Sequence, residues 1–257
     1  MADIELYNFA VGTNVYRYTN ALTPVAYLSQ NYQAVAITRS AIEMSTDLEK
    51  AQITVTVPLS LTLLDYFRPV APLQKVLVTI LRTQRGAATA STIWSGALAN
   101  VESNQHTVTL TVQSRFAAQA NNGLRQKWQK PCPRVLYNPD CGVSRVAFRA
   151  NGTLIAVSGR TIRANAFAQK PNGYFVGGYI EWVTNGVTFV AFVIDHTADT
   201  LTLLTLPQLS VGSAVSAYPG CDHSTGTGGC GRFNNMVNYG GQPYIPLKNP
   251  VGSNKIY

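Results

Sequence analysis

The chain has 257 residues, of which 46% are hydrophobic and only 12% charged, with a formal net charge of +8. That length suits one large or two smaller domains, and two is the preferred reading. So few charges predict a surface suited to burial against partner subunits, and the absence of any run near the roughly 20 apolar residues of a membrane span argues against a transmembrane protein.

The opening stretch, Met1 to Asn20, carries Asp3 and Glu5 and shows no basic start followed by an apolar core. It therefore reads as lacking a secretion signal, and the protein as soluble and made in the cytoplasm. Gln52–Val57 (QITVTV), Lys75–Leu81 (KVLVTIL) and His106–Val112 (HTVTLTV) alternate at the strand period. Leu59–Phe67 has a helix-compatible spacing and predicts one short helix, while Asn100–Gln105 reads as the tip of a hairpin that joins Thr92–Ala99 to HTVTLTV. Together these predict a first β domain over residues 1–115.

From Arg115 the periodicity fades, and Asn121-Asn122-Gly123, Pro131, Pro133 and Asn138-Pro139 punctuate a linker over 116–143 with room for one helical stretch. Arg115, Arg125, Lys127, Lys130, Arg134, Arg145 and Arg149 crowd this part of the chain, against a single acid, Asp140. Such a cluster reads as a solvated loop, as a nucleic-acid contact, or as cations that offset an anionic metal–thiolate centre. Strand patterns resume at Ser144–Arg149, Thr153–Ser158, Tyr174–Val183, Val187–Ile194 and Leu201–Leu206, which predicts a second β domain over 144–218. Turns are expected at Asn151-Gly152 and at Thr184-Asn185-Gly186, because Asn-Gly accepts the positive φ of a tight hairpin. The last segment, 219–257, is rich in Gly, Asn and Pro and cannot form a long regular element. The fold class is therefore mainly β: two tandem β-barrel-like or β-sandwich domains followed by an irregular, metal-bound C-terminal segment.

Four cysteines form two pairs of equal spacing, Cys132 with Cys141 and Cys221 with Cys230, eight residues between the members of each. All four fall in irregular Gly- and Pro-containing loops, where inert core thiols are unusual. Two disulfides, 132 to 141 and 221 to 230, are one reading, disfavoured by cytoplasmic synthesis. Zinc is another, although its usual sites use closely spaced pairs. An iron–sulfur cluster takes the same four thiolates on a larger body that longer loops can reach, and fits best on these residues. His223 follows Cys221 by two positions and is a group behind the ligands or an alternative ligand. His106 reads as a solvated imidazole at a strand start and His196 as part of a turn. Three histidines and twelve carboxylates scattered over the chain show no nucleophile elbow, phosphate loop or metalloprotease helix, so no catalytic residue is assigned and the chain reads as a non-enzyme. A tail-associated cell-wall hydrolase and a nucleic-acid-binding module, the latter favoured by a pI of about 9.4, remain as less favoured readings.

Gly220-Cys221-Asp222-His223, then Cys230, Arg232-Phe233, Asn235, Asn238-Tyr239, Gly241, Pro243 and Pro246 resemble the C-terminal signature of the phage tail-tip, or baseplate hub, family of siphophages and gene transfer agents. Tyr174–Trp182 (YFVGGYIEW) resembles the strand pair before that signature, and Asp140-Cys141-Gly142-Val143 its earlier cysteine. The resemblance covers residues 130–246, and the first domain shares only its β-rich character. It implies a structural hub similar in role to tail tip protein L of lambda-like phages: a homotrimer of tandem β domains around the tail channel, located at the tail tip of the virion. The implied partners are the distal tail protein above, the central fibre or tip-attachment protein below, and the C-terminus of the tape measure protein, with at most nonspecific DNA contact in the channel. It also implies a [4Fe-4S] cluster held by Cys132, Cys141, Cys221 and Cys230, with zinc as the alternative metal.

Overall fold

A computed structural model describes residues 3–42, 51–68, 70–120 and 128–246. The chain divides into two compact units, Met1–Asn122 with Val183–Phe189, and Gly123–Trp182 with Val190–Tyr257. The fold is mainly β, and among the described residues no helix is long and apolar enough to cross a membrane.

The first unit is built on nine strands: β1 (Asp3–Val11), β2 (Asn14–Thr19), β3 (Val25–Tyr27), β4 (Gln30–Ala34), β5 (Thr38–Arg39), β6 (Gln52–Pro58), β7 (Leu77–Gln84), β8 (Ser91–Ser103) and β9 (Thr107–Ser114). They form one sheet in the order β3-β4-β2-β1-β7-β8-β9-β6-β5. Alternation drives its centre. Ile53, Val55 and Val57 of β6 pair with Val112, Leu110 and Val108 of β9, and all six are at most 1% exposed while the threonines between them face outward. Each such side chain contributes roughly 1.5–3 kcal/mol by leaving water. Leu59–Phe67 holds a 3-10 helix, Thr62–Phe67, that buries Leu63, Leu64 and Tyr66. β8 runs on to Ser103, so the hairpin turn lies further along than expected.

Glu5 is a partly buried carboxylate of this unit. Glu5 accepts from Arg39 at 2.7 Å and from the Tyr7 hydroxyl at 2.7 Å. Burial opposes its charge, but these two hydrogen bonds and the arginine charges hold its carboxyl below the usual range.

The second unit carries β10 (Ala150–Thr153), β11 (Ala156–Ser158), β12 (Thr161–Arg163), β13 (Tyr179–Thr184), β14 (Val187–Thr197), β15 (Thr200–Leu203) and β16 (Ala214–Tyr218), in the sheet order β10-β16-β13-β14-β15-β12-β11. Asn185 and Gly186 take φ of 52° and 75°, as the predicted Asn-Gly hairpin requires. That hairpin tip belongs to the first unit: Asn14 Nδ2 donates to the Asn185 carbonyl at 2.7 Å, Leu73 N–H to the Thr188 carbonyl at 2.9 Å, and Tyr66 stacks on Phe189.

Four expectations are corrected here. Ser144–Arg149 is a run of turns, not a strand, because Phe148 packs edge-on against Phe233 and Arg145 pairs with Glu181. Asn151-Gly152 lies within β10, not in a turn, and the glycine is needed because a Cβ there would crowd Ala164 and Ala166 at 3.2 Å. Tyr174–Gly177 is turn, with the strand starting at Tyr179. His196 is a core residue of β14, 1% exposed, its Nε2 donating to the Ala198 carbonyl at 3.0 Å.

Candidate cysteine centre

All four cysteines lie in the second unit and all are free thiols, Cys132, Cys141 and Cys230 buried and Cys221 half-buried. Two loops present them, one with Cys132 and Cys141 and the other with Cys221 and Cys230. Cys141 sits at the end of a turn, its N–H donating to the Asn138 carbonyl at 2.9 Å, and packs with Val143, Phe233 and Cys221. Cys230 closes the 221–230 loop, its N–H donating to the Ser224 carbonyl at 2.9 Å.

That loop is compact rather than a slack low-complexity run. Ser224 N–H donates to Asp222 Oδ1 at 2.8 Å, Asp222 N–H to the Gly228 carbonyl, and hydrogen bonds from Ser224 hold the Asp222 carboxyl below the usual carboxylate range. A Cβ on Gly229 would collide with the Ser224 carbonyl, so this turn closes only over glycine.

The two cysteine-bearing regions are tied together across the sequence. Cys132 N–H donates to the His223 carbonyl at 2.9 Å, and Gln242 N–H to the Gln129 carbonyl at 2.9 Å. Tyr239 hydroxyl donates to the Lys130 carbonyl at 2.7 Å, and Arg134 Nη1 to the Asn238 carbonyl at 2.6 Å. Asn238 Nδ2 donates to Asn235 Oδ1, and Asn235 Nδ2 donates to the Cys141 carbonyl at 2.6 Å with its sulfur at 3.8 Å. Sequence reasoning noted both asparagines but gave them no task. Their signal was an Asn three positions from another in a segment that lacks regular structure, where side-chain amides replace ladder hydrogen bonds.

Arg232 links the remaining motifs, its Nη1 donating to the Tyr174 carbonyl at 3.1 Å and the Gly220 carbonyl at 3.2 Å. Beside it the backbones of Gly178 and Gly220 pass so closely that neither position has room for a Cβ. Tyr174–Trp182 and the Gly220-Cys221 motif are thus neighbours in space.

Cys221 packs against the hydrophobic cluster that holds Cys141. Burial pushes the Cys221 thiol up, the His223 N–H at 3.4 Å opposes this, and Asp222, Cys141 and Cys132 push it further up. Burial likewise raises Cys230, followed by Cys221, Cys132 and Cys141. Gly240 N–H points at Cys132 Sγ at 3.4 Å. These thiols repel once ionised, so the protein alone keeps Cys221 and Cys230 protonated, and a cationic centre would convert them to thiolates.

Two of the expected offsetting cations have partners of their own: Arg145 pairs with Glu181 and lies over the Tyr218 ring at 4.4 Å, and Arg134 donates to the Asn238 carbonyl. Arg125 and Lys127 lie outside the described residues. Among the described residues no three His, Cys, Asp or Glu side chains form a group that could hold one metal ion. His106 is exposed, as expected. His223 stands against the Cys132 loop, its Nδ1 at 2.9 Å from the Cys132 carbonyl.

A family model described as "Baseplate hub protein, N-terminal attachment domain" matches residues 7–144, and one described as "Phage conserved hypothetical protein BR0599" matches residues 173–249. The first takes in Cys132 and Cys141, the second Cys221 and Cys230. The match also extends over the first unit, where the sequence resemblance rested on β character alone. Among solved structures the chain is similar to one from "Virion of native gene transfer agent (GTA) particle", at 18% identity and a TM-score of 0.79, covering 100% of this chain and 94% of that one. No curated protein matches.

Proposed function

The chain belongs to the family of the baseplate hub protein N-terminal attachment domain, and from that premise we propose that it is a structural hub at the tail tip of a virion, stabilised by a [4Fe-4S] cluster on Cys132, Cys141, Cys221 and Cys230. The observation that carries the cluster is the meeting of the two cysteine-bearing loops: Cys221 packs against the hydrophobic cluster that holds Cys141, Cys132 N–H bonds the carbonyl of His223 two residues beyond Cys221, and backbone N–H groups point at the sulfurs of Cys132 and Cys221.

The donor set fits. Four sulfurs and no carboxylate suit a soft, thiolate-ligated centre, and amide N–H groups aimed at sulfur are a common means of stabilising ligated thiolates. When bound, the cluster supplies four iron–sulfur bonds that cross-link the loops. The protein's own part is to hold the loops in register through Asn235, Asn238, Arg134 and His223, and to keep the sulfurs largely buried.

A structural role rather than an enzymatic one is supported by the match to a baseplate hub attachment domain. His196 is fixed to backbone carbonyls in the core and His106 is exposed. The low charge, 12% of residues, supports extensive contact with other subunits. In this reading the first unit attaches to the distal tail protein ring in a homotrimer, and the second faces the central fibre or tip-attachment protein and the tape measure C-terminus. DNA passing the channel makes at most nonspecific contact.

The test is location. Antibodies raised to the first unit should decorate the distal end of the tail in assembled particles. Label on the capsid or along the tube would overturn the hub assignment.

A further inference from the structure

His223 makes three hydrogen bonds at the cysteine loops, two of them across to Cys132 and one within its own loop. Its carbonyl accepts from Cys132 N–H at 2.9 Å, its ring Nδ1 stands 2.9 Å from the Cys132 carbonyl, and its own N–H points at Cys221 Sγ at 3.4 Å. A carbonyl only accepts, so Nδ1 carries the proton and donates. The residue therefore bonds both the N–H and the carbonyl of Cys132 while its own amide touches the sulfur of Cys221 in its own loop. His223 has a left-handed backbone, φ 61°.

We propose that His223 is a positioning residue that sets Cys132 against Cys221 before any cluster is loaded, and is not itself a ligand. The proposal rests on the cluster reading above, and the same ring geometry defines its rival. A histidine that donates Nδ1–H to a carbonyl leaves Nε2 as an acceptor, and many metal-bound histidines are oriented this way. Against ligation, four thiols already satisfy a cubane cluster. His223 also lines a cavity of about 300 Å³ with Lys130, Pro131, Ser224, Thr225, Tyr239 and Pro243.

Two substitutions separate the roles. His223→Asn keeps an amide donor at the place of Nδ1, accepts a φ of 61° and has nothing at the place of Nε2. His223→Gly accepts the same φ and removes the ring altogether. Two readouts are taken on the full-length chain: amide hydrogen exchange at Cys132 in iron-free protein, and the rate of iron loss to a chelator after anaerobic reconstitution.

The expected result is that the asparagine variant matches wild type in both. The glycine variant should exchange the Cys132 amide about 5- to 10-fold faster, as loss of one hydrogen bond implies, and lose iron about 10-fold faster. A glycine variant indistinguishable from wild type would overturn the positioning role. An asparagine variant that loses iron as fast as glycine, with Cys132 exchange still protected, would make His223 a ligand and overturn the proposal from the other side. Should wild type take up no iron, the cluster reading fails, and the exchange comparison alone still decides whether His223 clasps Cys132.

Discussion

Replacing Cys141 with serine should release residues 219–246 from the second unit, making them the first site of cleavage in limited proteolysis while the first unit stays intact. The segment has little regular structure of its own, a three-residue 3-10 turn at Met236–Asn238 amid turns and extended chain. It is held by isolated hydrogen bonds to residues 129–141 and by whatever joins the sulfurs. Cys141 and Cys221 lie some 80 residues apart in the chain, and a cross-link closing a loop of that size stabilises the fold by about 4 kcal/mol. A metal centre acts in the same way, its binding free energy becoming folding free energy. Serine keeps the volume but makes a poor soft ligand, so the loss falls on the cross-link rather than on packing. Unchanged protease resistance in the variant would mean that hydrogen bonding alone orders the segment.

Phe175→Ala is expected to destabilise the second unit by about 3–5 kcal/mol, the usual cost of removing a fully buried aromatic ring. Phe175 is 0% exposed and its ring meets Phe167, Tyr174 and His196 with centroids 4.9–5.8 Å apart. The neighbouring Tyr174 carbonyl receives Arg232, so slackening this corner also loosens the anchor of the 221–230 loop. Denaturant unfolding measures the change, and it should be equally large in iron-free protein, unlike that of Cys141→Ser. A loss under about 1 kcal/mol would show that the corner collapses around the missing ring.

The difference between these two variants tracks what could be read from the amino acids. Where one face is buried and the other wet, alternation is explicit, as in Ile53, Val55 and Val57 facing Val112, Leu110 and Val108, and those strands were legible. β1 was not, because Leu6 and Tyr7 are adjacent and both buried, the tyrosine being turned inward to give its hydroxyl to Glu5. Ser144–Arg149 imitates a strand, yet its apolar residues serve the cysteine loops, Phe148 against Phe233. His196 looked like a turn residue because Asp195, Thr197 and Ala198 flank it, but backbone carbonyls give its ring a place in the core.

The cysteine pairs stood out through equal spacing and loop context. The ties between them did not: Asn235 to Cys141, Arg134 to Asn238 and His223 to Cys132 join positions roughly 90–105 apart in sequence, and no local pattern encodes such partners. The hub family was legible from residues 130–246, whereas the kinship of the first unit lay beneath ordinary strand patterning and emerged from the match over residues 7–144.

The measurement that bears most directly on the account is anaerobic purification of the full-length chain, followed by a visible absorption spectrum and analysis for iron, acid-labile sulfide and zinc. The account predicts brown protein with about four irons and four sulfides per chain. Colourless protein carrying a single zinc, or no metal with the cysteines joined as disulfides, would contradict it.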